Sequence, residues 1–283
     1  MSASIAEELF ETFRTSLSIV RHHRGAWRNE LLRAFLSAQL RRARGDKGPG
    51  SLRVLGAEVS YFDPEALAIL INEVLVDQAY YLDLPERPFI IDAGANIGLA
   101  TLLFKRRHPG ARILAFEPDP DTHALCQKNI DANGLADVEL VHAALADREG
   151  ELELSVDPAV PGNLGMSTRP VANLRGRRAV PARTLSSFVK RRVDLLKLDI
   201  EGVEVDVLDE TAASGALEQV DQIVMEYHHH VEPDEDRLGH MLAMFERHGF
   251  GYQVLSRAGV PFRKGVFSSM FVYAYRKHPS RSA

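Results

Sequence analysis

A pair of glycines and a carboxylate further along the chain are the residues best placed to bind a ligand. The apolar stretch PFIID is followed by Gly94-Ala95-Asn96-Ile97-Gly98 and then by a new apolar pattern, which predicts a strand, a tight turn and a helix. Glycines let a ligand approach the backbone closely, and the first turn of a helix has free N–H groups. Glu117 ends the next predicted strand, about 20 residues further on, where an acid can accept hydrogen bonds from ribose hydroxyls. The spacing favours a ribose-containing cofactor, although Asn96 breaks the G-x-G-x-x-G pattern of dinucleotide sites.

Two further predicted strand ends carry residues suited to a ligand crevice. The segment HAALAD has small side chains, including Ala143 and Ala144, which can leave a slot for a flat base. In LLKLDIEGVE, Asp199 ends a strand and is expected to face the crevice at the carboxyl edge of the sheet. The acids of this turn would repel one another without a partner, and Lys197 is a candidate for that partner.

The segment VMEYHHH supplies candidates for a proton acceptor. Histidine titrates near neutral pH, and strand alternation places Glu226 and His228 on one side with His229 opposite. We therefore predict His228 as a general base supported by Glu226. In a second interpretation, Asp199, Glu226 and His228 bind a divalent metal ion, although no spacing signature supports one.

The elements that position these residues alternate between strand and helix. Short apolar strands are predicted at 89–92, 112–117, 138–143, 195–199 and 222–226, with helices between them, which is typical of an open parallel sheet. Alternating patterns at 252–257 and 268–276 predict a terminal antiparallel hairpin. Upstream, residues 51–62 predict another hairpin and Pro64 to Gln78 a helix.

The N-terminal part differs in composition from the rest. Two helices are predicted before the breaker cluster at 45–50, which suggests a helical extension over residues 1–50 and a main domain over 51–283. Between Arg14 and Arg44 the charges are almost all arginine, with Glu30 as the exception. Such an arm can be a solvated helical face, can contact a membrane surface or an acidic partner, or can mediate homo-oligomers.

Composition narrows the class of protein. A net charge of -5 gives no reason to expect nucleic acid as a partner, and the single cysteine excludes an internal disulfide framework. No apolar segment is long enough to span a bilayer, and the N-terminus lacks the pattern of a signal peptide. These features predict a cytoplasmic protein.

The motifs IDAGANIG, FEP, AAL-AD, LLKLDIEGVEVDVL and VMEYH together resemble the FkbM family of S-adenosylmethionine-dependent methyltransferases, over roughly Val54 to Tyr275. The resemblance implies a Rossmann-like class I methyltransferase fold, α/β, with seven mostly parallel strands and a C-terminal antiparallel hairpin. It also implies methyl transfer to a hydroxyl of a small molecule, such as a sugar or secondary metabolite, with S-adenosylhomocysteine as product. It further implies that the methionine end of the cofactor lies at Asp92 and the glycine turn. The full set of expected cofactor-binding residues is Asp92, Gly94, Asn96, Ile97, Gly98, Glu117, Pro118, Ala143, Ala144 and Asp199.

Two alternatives stay open from the sequence. One is a nicotinamide-dependent oxidoreductase, against which the missing glycine pattern and the terminal hairpin count. The other is a cofactor-binding protein that has lost catalysis and serves as an interaction partner.

The segment from Asp157 to Arg183 is expected to be a long irregular loop near the crevice, whose arginines either meet an acidic acceptor or are solvated. Those arginines are Arg169, Arg175, Arg177 and Arg178.

Overall fold

A computed structural model describes residues 5–23, 25–77, 80–157, 162, 164–169, 174–232, 234–256 and 267–277. The helices are α1 Ile5–His22, α2 Gly25–Ala43, α3 Pro64–Leu70, α4 Leu99–Arg107, α5 Pro120–Ala132, α6 Glu204–Ala213 and α7 Leu238–Arg247. The first six strands are β1 Gly50–Val54, β2 Ala57–Tyr61, β3 Phe89–Ala93, β4 Arg112–Phe116, β5 Val138–Val141 and β6 Ala144–Ala146. The other six are β7 Gly150–Val156, β8 Gly176–Thr184, β9 Leu195–Leu198, β10 Gln222–His229, β11 Phe250–Ser256 and β12 Ser268–Arg276.

The central sheet has seven strands in the order β11-β12-β10-β9-β3-β4-β5. Strands β10, β9, β3, β4 and β5 run parallel, whereas β12 pairs antiparallel with both β10 and β11. This confirms the predicted Rossmann-like sheet with a C-terminal hairpin. The five parallel strands all point their carboxyl ends at one edge, and that edge carries the predicted site residues.

Both faces of the central sheet are covered, which explains why its strands are apolar at successive positions. On β3, Ile90 belongs to one apolar cluster, with α4 and α5, and its neighbour Ile91 belongs to the other, with α6 and α7. Both side chains are fully buried. The strand ends are therefore held on a rigid scaffold.

A second, small sheet was not predicted. Strands β6, β8 and β7 form it, in that order, and all of β8 except Thr184 lies within the segment that the sequence suggested was an irregular loop. The pattern of β8, GRRAVPART, contains a glycine, a proline and three arginines, which obscured its alternation of exposed and buried residues. The predicted third strand, 138–143, is correspondingly shorter, because the chain leaves the central sheet after Val141 to form β6.

The N-terminal helices and the β1–β2 hairpin pack onto the central sheet's first apolar cluster. Leu31 and Phe35 of α2 are buried in the same cluster as Leu67 of α3 and Leu75. The division at residue 50 stays a prediction, although the two parts share apolar contacts. Among the described residues, no helix combines the length and the apolar character needed to cross a membrane.

The predicted helix from Pro64 to Gln78 is only partly regular. Asp63 caps α3 by accepting hydrogen bonds from the backbone N–H groups of Glu65 and Ala66. After Leu70 the chain continues as a π-helix over Ile71–Val76. Gln78 lies outside the described residues. Short π-helical segments are rare and often occur at functional sites, and this one carries a residue of the cavity described next.

Candidate functional site

The carboxyl ends of the parallel strands surround a cavity of about 300 Å³. Of the residues that the sequence predicted, nine line it: Gly94, Asn96, Glu117, Pro118, Ala143, Ala144, Asp199, Glu226 and His228. The lining does not include Asp92, Ile97 or Gly98. The cavity extends from the end of β4 to the end of β10, which are three strand spacings or roughly 14 Å apart.

The glycine turn packs against neighbouring protein segments as well as lining the cavity. Gly94 has a φ of 79°, and a Cβ added to it would lie 1.8 Å from the carbonyl oxygen of Asp199. The N–H groups of Gly94 and Ala95 donate to the carbonyl oxygen of Phe116, at 3.1 and 2.8 Å. The turn is thus fixed between β9 and β4. The sequence explained Gly94 by the approach of a ligand, whereas its backbone contact with Asp199 already requires a glycine.

Glu117 is held at the cavity wall by the turn itself. Its Oε2 accepts a hydrogen bond from the Asn96 N–H, and its Oε1 accepts one from the Asp119 N–H, both at 2.9 Å. Only 5% of the residue is exposed. Burial raises the pKa of Glu117 to about 7, although the two backbone N–H groups act in the opposite direction. This arrangement suits a carboxylate that accepts hydrogen bonds from a ligand.

Apolar side chains surround the part of the cavity next to Glu117. Ala143 and Ala144 are almost fully buried, and Phe116, Leu145 and Leu154 complete this region. Small side chains at the start of β6 therefore lie beside the carboxylate, as expected for a slot that takes a flat base. Leu154 comes from β7 of the small sheet, so the sequence alone did not place it there.

Asp92 lies behind the turn and not in the cavity. It is fully buried, its Oδ2 accepts a hydrogen bond from the Thr101 hydroxyl at 2.6 Å, and its Oδ1 is 3.3 Å from the Lys197 ammonium. Lys197 in turn donates to the carbonyl oxygen of Gly94 at 2.6 Å. Asp92 therefore contacts the turn through Lys197, and its direct contact with the cofactor stays a prediction.

Lys197 is the partner that the sequence suggested for Asp199. Its Nζ lies 3.6 Å from the Asp199 carboxylate. Burial lowers the pKa of Lys197, but Asp92 and Asp199 outweigh burial, so the net shift is upward. Lys197 thus stays charged and ties β9 to the glycine turn.

His228 is enclosed by two carboxylates that the sequence did not assign to it. Its Nδ1 lies 2.8 Å from Glu204, and its Nε2 lies 3.3 Å from Glu201. Burial lowers the pKa of His228, but the hydrogen bond and charge of Glu204 prevail and raise it to about 10. The carboxylate that contacts the imidazole is therefore Glu204, whereas the sequence suggested Glu226. The catalytic role of His228 stays a prediction.

Further acids crowd the same part of the cavity. Glu73, from the π-helical segment, lines it, and burial together with Glu226 and other acids raises the pKa of Glu73 to about 8. Burial is also the main cause of the raised pKa values of Glu201, at about 7, and of Glu226. The sequence missed Glu73 and the role of Glu204, since neither follows a strand-end pattern that marks a crevice.

Strand β10 continues through His229, so successive side chains alternate between its two sides up to that residue. His229 lies on the other side of β10, where its Nδ1 is 3.2 Å from the Tyr227 hydroxyl, and it is absent from the cavity lining. His230 is 2.8 Å from Asp236. These two histidines form a separate cluster with Asp236 outside the cavity.

Part of the segment from Asp157 to Arg183 lines the cavity, and three of its four predicted arginines have internal partners. Leu164, Gly165, Met166 and Thr168 line the cavity. Arg169 forms ion pairs with Asp206, Glu232 and Glu235. Arg178 pairs with Asp119 and Asp121, and Arg177 donates to the Ser155 hydroxyl. Arg169, Arg177 and Arg178 therefore stabilise the loop and the small sheet, and none of them lines the cavity.

Comparison with known proteins identifies the family. Residues 92–252, more than half of the chain, match the family model described as the methyltransferase FkbM domain. The chain is 34% identical over 159 residues to Methyltransferase 1 of Beauveria bassiana, covering 48% of this chain and 64% of that protein. It is 34% identical over 170 residues to Methyltransferase sdnD of Sordaria araneosa, covering 48% of this chain and 66% of that one. It is also 30% identical over 139 residues to the 2-O-methyltransferase NoeI of Sinorhizobium fredii, covering 49% and 52%. The chain thus spans between 52% and 66% of the length of these curated relatives. The matched segment contains the glycine turn, Glu117, Asp199, Glu226 and His228, and the chain belongs to the FkbM methyltransferase family.

Proposed function

We propose that this protein is an S-adenosylmethionine-dependent O-methyltransferase that acts on a hydroxyl group of a small molecule, such as a sugar or secondary metabolite. The observation that carries the proposal is the composition of the cavity. An apolar slot beside a buried carboxylate, Glu117, continues into a strongly acidic region around Asp199 and Glu226. The first region suits a nucleoside, and the second suits a group that must lose a proton.

The residues of the first region fit S-adenosylmethionine. Glu117 has both oxygens fixed by backbone N–H groups and can accept hydrogen bonds from the ribose hydroxyls. Ala143, Ala144 and Phe116 leave an apolar slot for the adenine. The turn at Gly94 and Asn96 presents backbone to the rest of the cofactor. Asp199 lies between the two regions, where a carboxylate stabilises a positively charged sulfonium.

The residues of the second region would position the acceptor and remove its proton. When bound, the cofactor would supply an activated methyl group for transfer to the acceptor oxygen, with S-adenosylhomocysteine as the leaving group. Alignment of the acceptor provides much of the acceleration. Since both nitrogens of His228 face carboxylates, an oxygen of Asp199 or Glu226 is better placed than the imidazole to take the hydroxyl proton.

Support for oxygen as the accepting atom comes from the acidic lining and from the relative whose name specifies 2-O-methylation. The two alternatives from the sequence receive less support. The turn, Gly94-Ala95-Asn96-Ile97-Gly98, does not match the G-x-G-x-x-G pattern, and the matched family is one of methyltransferases.

The test is methyl transfer with a labelled donor. Purified protein is incubated with S-adenosylmethionine labelled in the methyl group and with a panel of hydroxyl compounds, amines and carboxylates, and the products are identified by mass. We expect label only in hydroxyl compounds, as alkali-stable methyl ethers. Label in amines alone would reject the O-methyl assignment. Calorimetric titration with S-adenosylmethionine and with NAD separates the methyltransferase from the oxidoreductase.

A further inference from the structure

Three side chains of the cavity lie close enough together to share a metal ion. Asp199, Glu226 and His228 each offer one ligand atom, and the three atoms lie within 4.8 Å of one another. They come from the ends of two adjacent strands, β9 and β10, which pair at Leu198 and Met225. Two carboxylate oxygens and one imidazole nitrogen are a donor set suited to divalent first-row ions.

The orientation of His228 supports the same interpretation. Its Nδ1 lies 2.8 Å from Glu204, a carboxylate with only 1% exposure, which leaves Nε2 directed toward the other acids. Glu204 is itself fixed, because its Oε1 accepts a hydrogen bond from the Gly202 N–H at 2.9 Å. A histidine that binds a metal through one nitrogen almost always donates its other N–H to a carboxylate or a carbonyl, which fixes its tautomer and ring orientation.

The cavity lining also has more acidic than basic side chains, which favours a bound cation. Among the described residues that line it, the acidic side chains are Glu73, Glu117, Asp199, Glu201 and Glu226, and the basic one is His228. Lys197 compensates Asp199 from behind, but it is shared with Asp92. Carboxylates that share a site without enough counter-charge repel one another, and a divalent ion would relieve this repulsion.

We propose that Asp199, Glu226 and His228 bind a divalent first-row metal ion such as Mn²⁺ inside the cavity, through one oxygen of each carboxylate and Nε2 of the imidazole. The ion would replace the proton on Nε2, which is released to solvent, while Nδ1 keeps its proton toward Glu204. Ligand atoms at about 2.1 Å from an ion lie roughly 3 to 4 Å apart, so the three side chains need to close by only a small amount. Three protein ligands leave further positions for oxygen donors. Glu201, at 3.3 Å from Nε2, is close enough to orient water on such an ion.

The mechanistic consequence rests on the proposed function. An acceptor hydroxyl bound to the ion would lose its proton more readily, because the positive charge stabilises the alkoxide. The proton would pass to a carboxylate of the cavity, and the oxygen would then accept the methyl group. Metal binding itself does not depend on that function and is tested separately.

A second cluster requires a control. His229, His230 and Asp236 also bring three ligand atoms within 4.8 Å of one another, on the other side of β10. The double variant His229→Ala/His230→Ala removes this cluster and leaves Asp199, Glu226 and His228 unchanged. It is therefore the background in which the cavity is tested.

The experiment titrates Mn²⁺ into the metal-free protein and follows the loss of the free-ion signal by electron paramagnetic resonance. We expect one Mn²⁺ per chain in the double variant. Adding Glu226→Gln or Asp199→Asn to that background should weaken binding at least about tenfold. Circular dichroism and thermal unfolding establish that each variant is folded. His228→Gln, which keeps a polar side chain of similar length, should weaken binding in the same way.

Two results would overturn the proposal. One is the absence of binding in the double variant at millimolar Mn²⁺, and the other is binding that survives Glu226→Gln and Asp199→Asn without change. Labelled methyl transfer, measured before and after chelation, separates this inference from the proposed function. If the protein binds Mn²⁺ but transfers no methyl group to any acceptor, the proposed function is contradicted and the metal site is not. If methyl transfer is insensitive to chelation and no Mn²⁺ binds, the metal site is rejected and the proposed function is not.

Discussion

Gly94 and Asp199 are in backbone contact across the site: a Cβ on Gly94 would lie 1.8 Å from the carbonyl oxygen of Asp199. The glycine turn after β3 and the acidic turn after β9 are therefore one packed unit. Any side chain at position 94 must displace the residue that we place between cofactor and acceptor.

Gly94→Ala should therefore lower stability and cofactor affinity together. The matched control is Gly215→Ala, since Gly215 has a φ of 80° and nothing within 4 Å of an added Cβ. Both variants pay about 1–2 kcal/mol for a left-handed backbone, and Gly94→Ala should lose at least about 1 kcal/mol more through overpacking. Chemical unfolding and calorimetric titration measure the two effects. Equal losses in the two variants would contradict the contact.

Glu117→Ala should weaken binding of S-adenosylmethionine by about 1–3 kcal/mol, because it removes the carboxylate proposed to accept the ribose hydroxyls. Glu139→Ala is the control, since Glu139 lies exposed on the neighbouring strand β5. Calorimetric titration of both variants gives the difference. An affinity that is unchanged in Glu117→Ala would remove Glu117 from the site.

Cofactor affinity should rise with pH through about 7, the raised pKa of Glu117. The sign follows from the acceptor role: hydroxyl donors favour the ionised carboxylate, so below this pKa binding must first remove a proton, at a cost of up to about tenfold per pH unit. The groups that face Glu117 are the N–H groups of Asn96 and Asp119, the Asp119 carboxylate and the Lys197 ammonium. The dependence should flatten in Glu117→Gln. A slope that persists in this variant would assign it to another group.

Glu226→Gln should lower turnover by about 10²–10⁴-fold while leaving cofactor affinity nearly unchanged, because we place Glu226 beside the acceptor and not beside the cofactor. His229→Ala, on the opposite side of β10, should leave turnover unchanged. Single-turnover measurements exclude product release as the limiting step. If turnover required His229 and not Glu226, the functional side of β10 would be the one that carries His229, and our assignment would be wrong.

Phe35→Ala tests whether the N-terminal helices stabilise the main domain. Phe35 is 2% exposed in the shared apolar cluster, so its truncation should cost about 3–5 kcal/mol in the free energy of unfolding. Leu36, the next residue on α2, is 43% exposed, and Leu36→Ala should change stability by about 0.5 kcal/mol or less. Denaturant unfolding followed by circular dichroism compares them. If the unfolding transition of the main domain is unchanged in Phe35→Ala, residues 1–50 form a unit that does not stabilise that domain.

Local patterns in the sequence were sufficient to predict the central sheet and nine of the residues that line the cavity. The five parallel strands, the terminal hairpin and the glycine turn all follow from apolar periodicity and from glycine positions, which depend on residues close in the chain. The carboxyl ends of parallel strands share one edge, so Glu117, Asp199 and Glu226 could be placed at one site before any contact was known.

The tertiary structure alone decided which partners these residues have. Glu204 reaches His228 from 24 residues away, and Lys197 reaches Gly94 from 103 residues away, so no local pattern marks either pair. The same holds for Glu73, which the π-helical segment brings into the cavity, and for the small sheet that supplies Leu154. A residue's type and its position on a strand are properties of the local sequence, whereas burial, charge neighbours and pKa arise from segments that meet only when the chain is folded. For this reason the sequence identified His228, but only the fold showed that it lies between two carboxylates.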